Sequence, residues 1–95
     1  MVGLTLGQIV TSRAGRDKGK HFVVVGFSEK WVLIADGKSR KIDNPKKKNE
    51  KHLIAQRYVA EAIGSKLASG QRVYDRELRA VLELWNGGLH DQGGR

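Results

Sequence analysis

A glycine-bracketed basic loop is the part of this sequence whose residue types could bind phosphate. Residues 15–20 read GRDKGK, and Gly15 and Gly19 permit positive φ angles that bring backbone N–H groups close to an anion. Four positive side chains surround the loop: Arg13, Arg16, Lys18 and Lys20. The phosphate could belong to a hydrolysed nucleotide or to a nucleic-acid backbone. A third interpretation is a β-hairpin loop that is glycine-rich for its turn and basic for solubility.

The nucleotide interpretation fails on spacing and on context. A P-loop has four residues between its glycines, then Lys and Ser or Thr, and it opens a helix. Here three residues separate Gly15 from Gly19, and His21 stands where Ser or Thr is required. The valines that follow favour a strand. The loop is therefore predicted to join two strands, where it would contact phosphates of a nucleic acid without reading its bases.

A second group of basic residues could extend the same phosphate-binding face. Its members are Lys38, Arg40, Lys41, Lys46, Lys47, Lys48 and Lys51. A lysine triplet is usually a solvated surface, so the alternative for this group is a role in solubility alone.

Positive charge is concentrated in the first half of the chain. The 95 residues carry 18 basic and 10 acidic side chains, for a net charge of +8 and a pI near 10.1. Residues 1–52 hold 12 basic and 5 acidic side chains, whereas residues 53–95 hold 6 and 5. A device for whole-protein solubility would not need this asymmetry, so we expect a polyanionic partner for the first half.

The sequence has no residue pattern typical of an enzyme. It contains no cysteine, and His21, His52 and His90 lack metal-ligand spacing. Asp17 and Asp36 are better explained as turn residues than as a catalytic pair. We therefore expect no catalysis, cofactor, metal or small-molecule substrate. Without a long apolar run, the chain is expected to be cytoplasmic and to have no membrane segment.

Short β-branched runs separated by turn residues predict a small, strongly curved barrel that closes its own edges. The five expected strands lie at residues 8–11, 21–25, 31–35, 40–42 and 51–54. Phe22 and Trp31 fall within these strands and are predicted to be core residues. A nucleic acid is therefore expected to be recognised by its backbone and shape rather than by stacking.

The second half of the chain changes to helical spacing. A first helix is predicted over residues 59–67 and a second over 75–86, where an apolar stripe repeats at Leu78, Val81, Leu82 and Trp85. Asp75 is expected to cap the second helix, and Glu77 to favour the positive end of its dipole. The stripe is expected to pack on the barrel or the first helix; the alternative is docking of a partner.

Residues 7–36 resemble the KOW motif, which occurs in several large-subunit ribosomal proteins and in transcription elongation factors, and the wider resemblance covers roughly the first 55 residues. The match includes a strand at residues 9–10, the GRDKGK loop with the characteristic Gly19, and a valine-rich strand at 23–25. His21 departs from the pattern, because family loops often have a glycine at this point. The D-G turn at 36–37 and the segments PKKKN (45–49) and KHL (51–53) are similar to small bacterial KOW proteins related to ribosomal proteins of archaea and eukaryotes.

This resemblance implies an SH3-like barrel that binds RNA or a ribonucleoprotein. We predict a mainly β fold with a helical tail: a barrel at residues 1–55, a helical extension packed on it at 56–87, and a flexible tail at 88–95. The predicted function is RNA binding in the translation apparatus, most directly to ribosomal RNA, with ribosomal proteins as further partners. The alternative is a protein-interaction module that docks on RNA polymerase or a ribosome-associated factor.

Overall fold

The computed structural model describes residues 3–87, in which five strands are followed by two helices. The strands are β1 (Gln8–Ser12), β2 (His21–Ser28), β3 (Trp31–Ala35), β4 (Lys46–Asn49) and β5 (Leu53–Val59). The helices are α1 (Glu61–Ala68) and α2 (Asp75–Asn86), and short 3-10 turns lie at Gly15–Asp17 and Glu50–His52. The strands form one antiparallel sheet in the order β4-β3-β2-β1-β5. The predicted fold class is confirmed, and the predicted tail at 88–95 lies outside the described residues.

Both faces of the central strands are buried, which explains the unbroken apolar run in β2. One face packs under the helices in a cluster that includes Ile9, Val23, Ala35, Ile63, Leu78 and Trp85. The other face lines the interior of the curved sheet with Val10, Phe22, Val24, Val32, Ile34 and Leu53. Phe22 is fully buried, as predicted, and alternate residues of one strand therefore serve two separate cores.

The sheet curls strongly but does not close by strand pairing. Leu53 of β5 shares a buried cluster with Val32 of β3, although β2 and β1 lie between these strands in the sheet. Register shifts between Gln8 and Val10 and between Val24 and Gly26 are bulges of the kind that bend a strand. Within residues 3–87 the edge strands β4 and β5 do not pair with each other, so the prediction of closed edges is wrong.

The β1–β2 loop occupies the place where a closing ladder would form. Lys48 Nζ on β4 donates to the carbonyl oxygen of Ala14 at 3.3 Å. On the other side, the N–H of Arg13 donates to the carbonyl oxygen of His52, just before β5, at 2.9 Å. The basic loop is thus tied to both edges of the sheet.

The predicted fourth strand at 40–42 is wrong, because its N–H groups are used elsewhere. The Asp36 carboxylate accepts hydrogen bonds from the N–H of Lys38 at 2.9 Å and of Arg40 at 2.8 Å. The N–H of Ile42 donates to the Asp75 carboxylate at 2.7 Å. The chain therefore turns through this segment, and the fourth strand is formed later by the lysine triplet.

The fifth strand also differs in its bounds from the sequence prediction. Residues 50–52 form a 3-10 turn, in which the Asn49 side chain accepts from the N–H of Lys51 at 3.2 Å. The strand consequently begins at Leu53, and it extends past residue 55 to Val59. Helix α1 begins at Glu61 rather than at the predicted residue 59, because Val59 is still paired with Gln8 of β1.

Helix α2 has the predicted bounds, and its stripe packs on the sheet. Leu78, Val81, Leu82 and Trp85 are buried, and each contributes roughly 1.5–3 kcal/mol through burial. The capping role predicted for Asp75 is wrong, because its carboxylate accepts from Ile42 instead. The first turn is fixed by Glu77, whose carboxylate accepts from the N–H of Tyr74 at 3.0 Å.

Candidate nucleic-acid interface

Backbone amides on the C-terminal side of the β1–β2 loop bond to nearby backbone carbonyls, whereas the basic side chains of the loop are exposed. Gly15 and Gly19 have φ angles of 76° and 89°, as the sequence predicts. The amides behind this loop are already used: the N–H of Gly19 donates to Ser12 at 2.8 Å, and the N–H of Lys20 donates to Asp17 at 2.8 Å. These two amides are therefore not free to bind a phosphate. The exposed groups of the loop are the side chains of Arg13, Arg16, Lys18 and Lys20.

The lysine triplet lies against this loop, so the two predicted basic clusters are brought together in the fold. The Lys46 ammonium forms an ion pair with the carboxylate of Asp17, 29 residues earlier in the chain. Lys48 reaches the neighbouring Ala14 carbonyl. Lys47 lies between them on β4, and strand alternation places it on the opposite face of the sheet. The structure therefore joins Lys46 and Lys48 to the loop and separates Lys47 from them.

The ion pair with Lys46 keeps Asp17 charged. The hydrogen bond from the Lys46 ammonium lowers the pKa of Asp17 below its ordinary value of 3.8, and this outweighs the opposing effect of burial. The nearby charges of Lys20 and Lys48 act in the same direction. Asp17, interpreted from sequence as a turn residue, is thus also the residue that connects the loop to β4.

The β3–β4 loop carries Lys38, Arg40 and Lys41 to the same end of the sheet. Strand register places it there, because Val23 pairs with Ala35 and Ile34 pairs with Lys46. Lys20 and Lys38 line a common surface hollow of about 270 Å³, whose other walls include residues of α2. Lys51 is different: it is exposed in the 3-10 turn and lines another hollow, beside Glu50.

Asp36 organises the β3–β4 loop. Burial disfavours its charged form, but the hydrogen bonds from the N–H groups of Arg40 and Lys38 and from the hydroxyl of Ser39 outweigh that effect. The pKa of Asp36 is therefore lowered from its ordinary value of 3.8. The predicted turn role of Asp36 is confirmed, and its charge is used within the loop.

Helix α2 holds the β3–β4 loop in place, a relationship that the sequence did not indicate. Arg79 Nη1 donates to the carbonyl oxygen of Gly37 at 2.8 Å, and Asp75 accepts from Ile42. Both contacts join residues more than 30 positions apart, so no local pattern could have predicted them.

His21, the departure from the KOW pattern, is accommodated as the first residue of β2. Its Nδ1 lies 2.8 Å from the hydroxyl oxygen of Thr11, its partner across the strand pair. That hydroxyl also accepts from Gln56 Nε2 at 2.8 Å. On its other side, the imidazole ring meets Trp85 edge-on, with ring centres 6.1 Å apart. His21 therefore links the basic loop to β5 and to α2.

No family model and no curated protein matches this chain. In the part of the chain that the structure describes, no three His, Cys, Asp or Glu side chains are grouped so that they could hold a metal ion. Neither described helix is long and apolar enough to cross a bilayer.

Proposed function

We propose that this protein binds the backbone of structured RNA through a KOW-type barrel. The observation that carries the proposal is the contact of Lys46 and Lys48 with the 14–17 segment, which makes one surface from two basic segments distant in sequence. We call this surface, with the neighbouring β3–β4 loop, the basic surface. It comprises Arg13, Arg16, Lys18, Lys20, Lys38, Arg40, Lys41, Lys46 and Lys48.

The basic surface stays positive despite the carboxylates near it, because its nine cations outnumber them. Asp17 pairs with Lys46, and Asp36 accepts three hydrogen bonds from its own loop. Arg13, Arg16, Lys18 and Lys20 are exposed, and Asp17 is the only carboxylate among residues 13–20. Such a surface attracts phosphates, and each neutralised phosphate adds about 0.7 to the salt slope for a single strand.

Structured RNA fits this surface better than duplex DNA does. A DNA reader usually presents a helix with free basic side chains to the major groove. In α2, Arg79 is bound to Gly37, and the guanidinium of Arg76 lies 4.8 Å from the ring centre of Tyr74. The cations of the basic surface come mainly from loops, which suits contacts to phosphates across an irregular RNA surface.

The first test compares two variants with the same change in charge. Lys18→Glu/Lys20→Glu alters the basic surface, whereas Lys30→Glu/Arg57→Glu alters exposed positions toward the other end of the sheet. Binding to ribosomal RNA is measured by fluorescence anisotropy over a salt series, with melting curves to confirm folding. We expect the first variant to lose at least tenfold in affinity and the control to lose much less. Equal losses would refute the basic surface as the binding site.

The second test concerns the place of the protein in the cell. We propose that its target is ribosomal RNA and that the protein acts in the translation apparatus, as the KOW resemblance implies. Lysate containing the tagged protein is sedimented through a gradient at low and high salt. Salt-sensitive co-migration with the large ribosomal subunit is expected. If the protein stays at the top under both conditions, this target is wrong.

A second candidate function is protein docking through α2. Leu84 is 62% exposed on this helix, and beside it lies a hollow of about 300 Å³ lined by residues that include Ala62, Ala80 and Val81. A protein partner that docked on this hollow would bury Leu84. Leu84→Ser distinguishes the two candidate functions. If the basic surface is the functional site, the variant keeps the RNA affinity of the wild type. If α2 is the functional site, the variant loses the ability to capture a protein partner.

A further inference from the structure

An exposed ring with two guanidinium groups close to it lies at the start of α2, outside the contacts described for the basic surface. Tyr74 is 43% exposed. The guanidinium carbons of Arg72 and Arg76 lie 5.2 Å and 4.8 Å from the centre of its ring. Three planar groups are thus gathered on one solvent-facing spot, which we call the Tyr74 cluster.

Three carboxylates lie near the Tyr74 cluster, and the side chains of Arg72 and Arg76 are exposed beside them. Glu77 is held by Lys66 through a 2.8 Å ion pair, and Asp75 accepts from the Ile42 N–H. Asp43 lies 3.6 Å from Arg72, but both side chains are more than half exposed, so this pair is weak. A flat ring that docks here would therefore meet the guanidinium groups of Arg72 and Arg76 together with the π surface of Tyr74.

The cluster adjoins the basic surface. Ile42 and Asp43 directly follow Lys41 in the β3–β4 loop. Asp75 accepts a hydrogen bond from the N–H of Ile42, and Arg72 lies 3.6 Å from Asp43. A strand of RNA whose phosphates lie along this loop would pass within reach of Tyr74.

We propose that the Tyr74 cluster stacks one unpaired nucleobase of the RNA whose backbone lies on the basic surface. This inference rests on the proposed RNA-binding function and adds the class of RNA: structured, with an unpaired nucleotide beside the contacted segment. Bases stack on aromatic rings and on guanidinium planes, and such stacking is tolerant of base identity. The cluster therefore selects for an accessible base rather than for a sequence.

The test uses two RNA hairpins that differ only in one bulged 2-aminopurine nucleotide. The full-length protein is expected to bind the bulged hairpin about 5- to 150-fold more tightly, as loss of one stacked base would imply, and to quench the probe's fluorescence. Tyr74→Phe keeps the ring and should retain both effects. Tyr74→Leu keeps an apolar side chain without the ring and should lose the preference and the quenching.

A further pair of variants separates the effect of the positive charge of Arg72 and Arg76 from the effect of their planar guanidinium groups. Arg72→Lys/Arg76→Lys keeps both positive charges but removes both guanidinium planes, so it should weaken the preference for the bulge. Leu84→Ala, on an exposed position of the same helix, is the control and should retain it.

The possible results separate this inference from the proposed function. Equal affinity for the two hairpins, or a preference that survives Tyr74→Leu, would overturn the stacking site while leaving RNA binding intact. Binding of neither hairpin by a protein that also fails to bind ribosomal RNA would overturn the proposed function and this inference with it. If the true ligand of the cluster is an acidic protein, the two hairpins should bind with equal affinity, which is the first of these results.

Discussion

The guanidinium of Arg79 donates a hydrogen bond to the backbone carbonyl of Gly37 at 2.8 Å. This contact joins the last helix to the turn that precedes Lys38 and Arg40. The C-terminal helix is therefore part of what positions the basic surface, because it fixes the loop from which several of its cations project.

Gly37→Ala is expected to disrupt this docking. The residue has φ 79°, and an added Cβ would overlap the carbonyl oxygen of Asp75 and lie 3.0 Å from Arg79 Cγ. Backbone strain costs about 1–2 kcal/mol, and overpacking adds roughly 1–3 kcal/mol. Gly70→Ala is the matched control, since Gly70 has φ 77° and nothing within 4 Å of its added Cβ. Urea denaturation should show the larger loss for Gly37→Ala; equal losses would mean that α2 does not press on this turn.

Asp75→Ala is expected to loosen the β3–β4 loop. It removes the acceptor that lies 2.7 Å from the N–H of Ile42, a hydrogen bond worth about 1 kcal/mol or more. Hydrogen exchange at the Ile42 amide should accelerate about fivefold or more. Asp75→Asn retains a carbonyl oxygen at this place and should preserve most of the protection. If Ile42 exchanges at the same rate in all three proteins, this contact does not order the loop.

Local patterns predicted β2 and α2. The run of β-branched valines favours a strand and the stripe of α2 has the period of a helix. Helix α2 has the predicted bounds, whereas β2 continues past the predicted residue 25 to Ser28. The strand at Lys46–Asn49 could not be predicted this way, because lysine and asparagine have low β-propensity and tertiary pairing with β3 decides their conformation.

The candidate site was predictable in composition but not in arrangement. The basic side chains of the loop and of the lysine triplet are evident in the sequence. Their junction includes the Asp17–Lys46 pair, whose members are 29 residues apart, and strand pairing determines that Lys47 faces away from it. Neither relationship has a local sequence signal, because both follow from how the sheet curls.

Stability should fall in acid partly through Asp36. Its pKa in the folded protein lies below the ordinary value of 3.8, because hydrogen bonds to the carboxylate outweigh burial. Asp36 therefore contributes stability that is complete above about pH 4–5 and is lost as pH falls through the lower folded value. The difference in unfolding free energy between the wild type and Asp36→Ala should be largest near pH 7 and shrink towards pH 3. A difference that is constant or grows in acid would contradict this assignment.

Asp17→Asn is expected to strengthen RNA binding if the basic surface is the site. The substitution removes a negative charge and releases Lys46, which the Asp17 carboxylate now holds. The loop should keep its shape, because the backbone bonds of Gly19 and Lys20 and the contact of Lys48 with the Ala14 carbonyl remain. One more phosphate contact would steepen the dependence of log Kd on log salt by about 0.7–0.9.

Glu29→Gln provides the control for this change, because it removes the same charge from the β2–β3 turn, toward the other end of the sheet. Its salt slope should equal that of the wild type. Lys46→Met should weaken binding little in the wild-type background, where Asp17 already neutralises the lysine, and substantially more in the Asp17→Asn background. This non-additivity is expected if Asp17 keeps Lys46 from contacting RNA in the wild type. If Lys46 does not contact RNA in either background, the salt slope would be the same with and without Asp17.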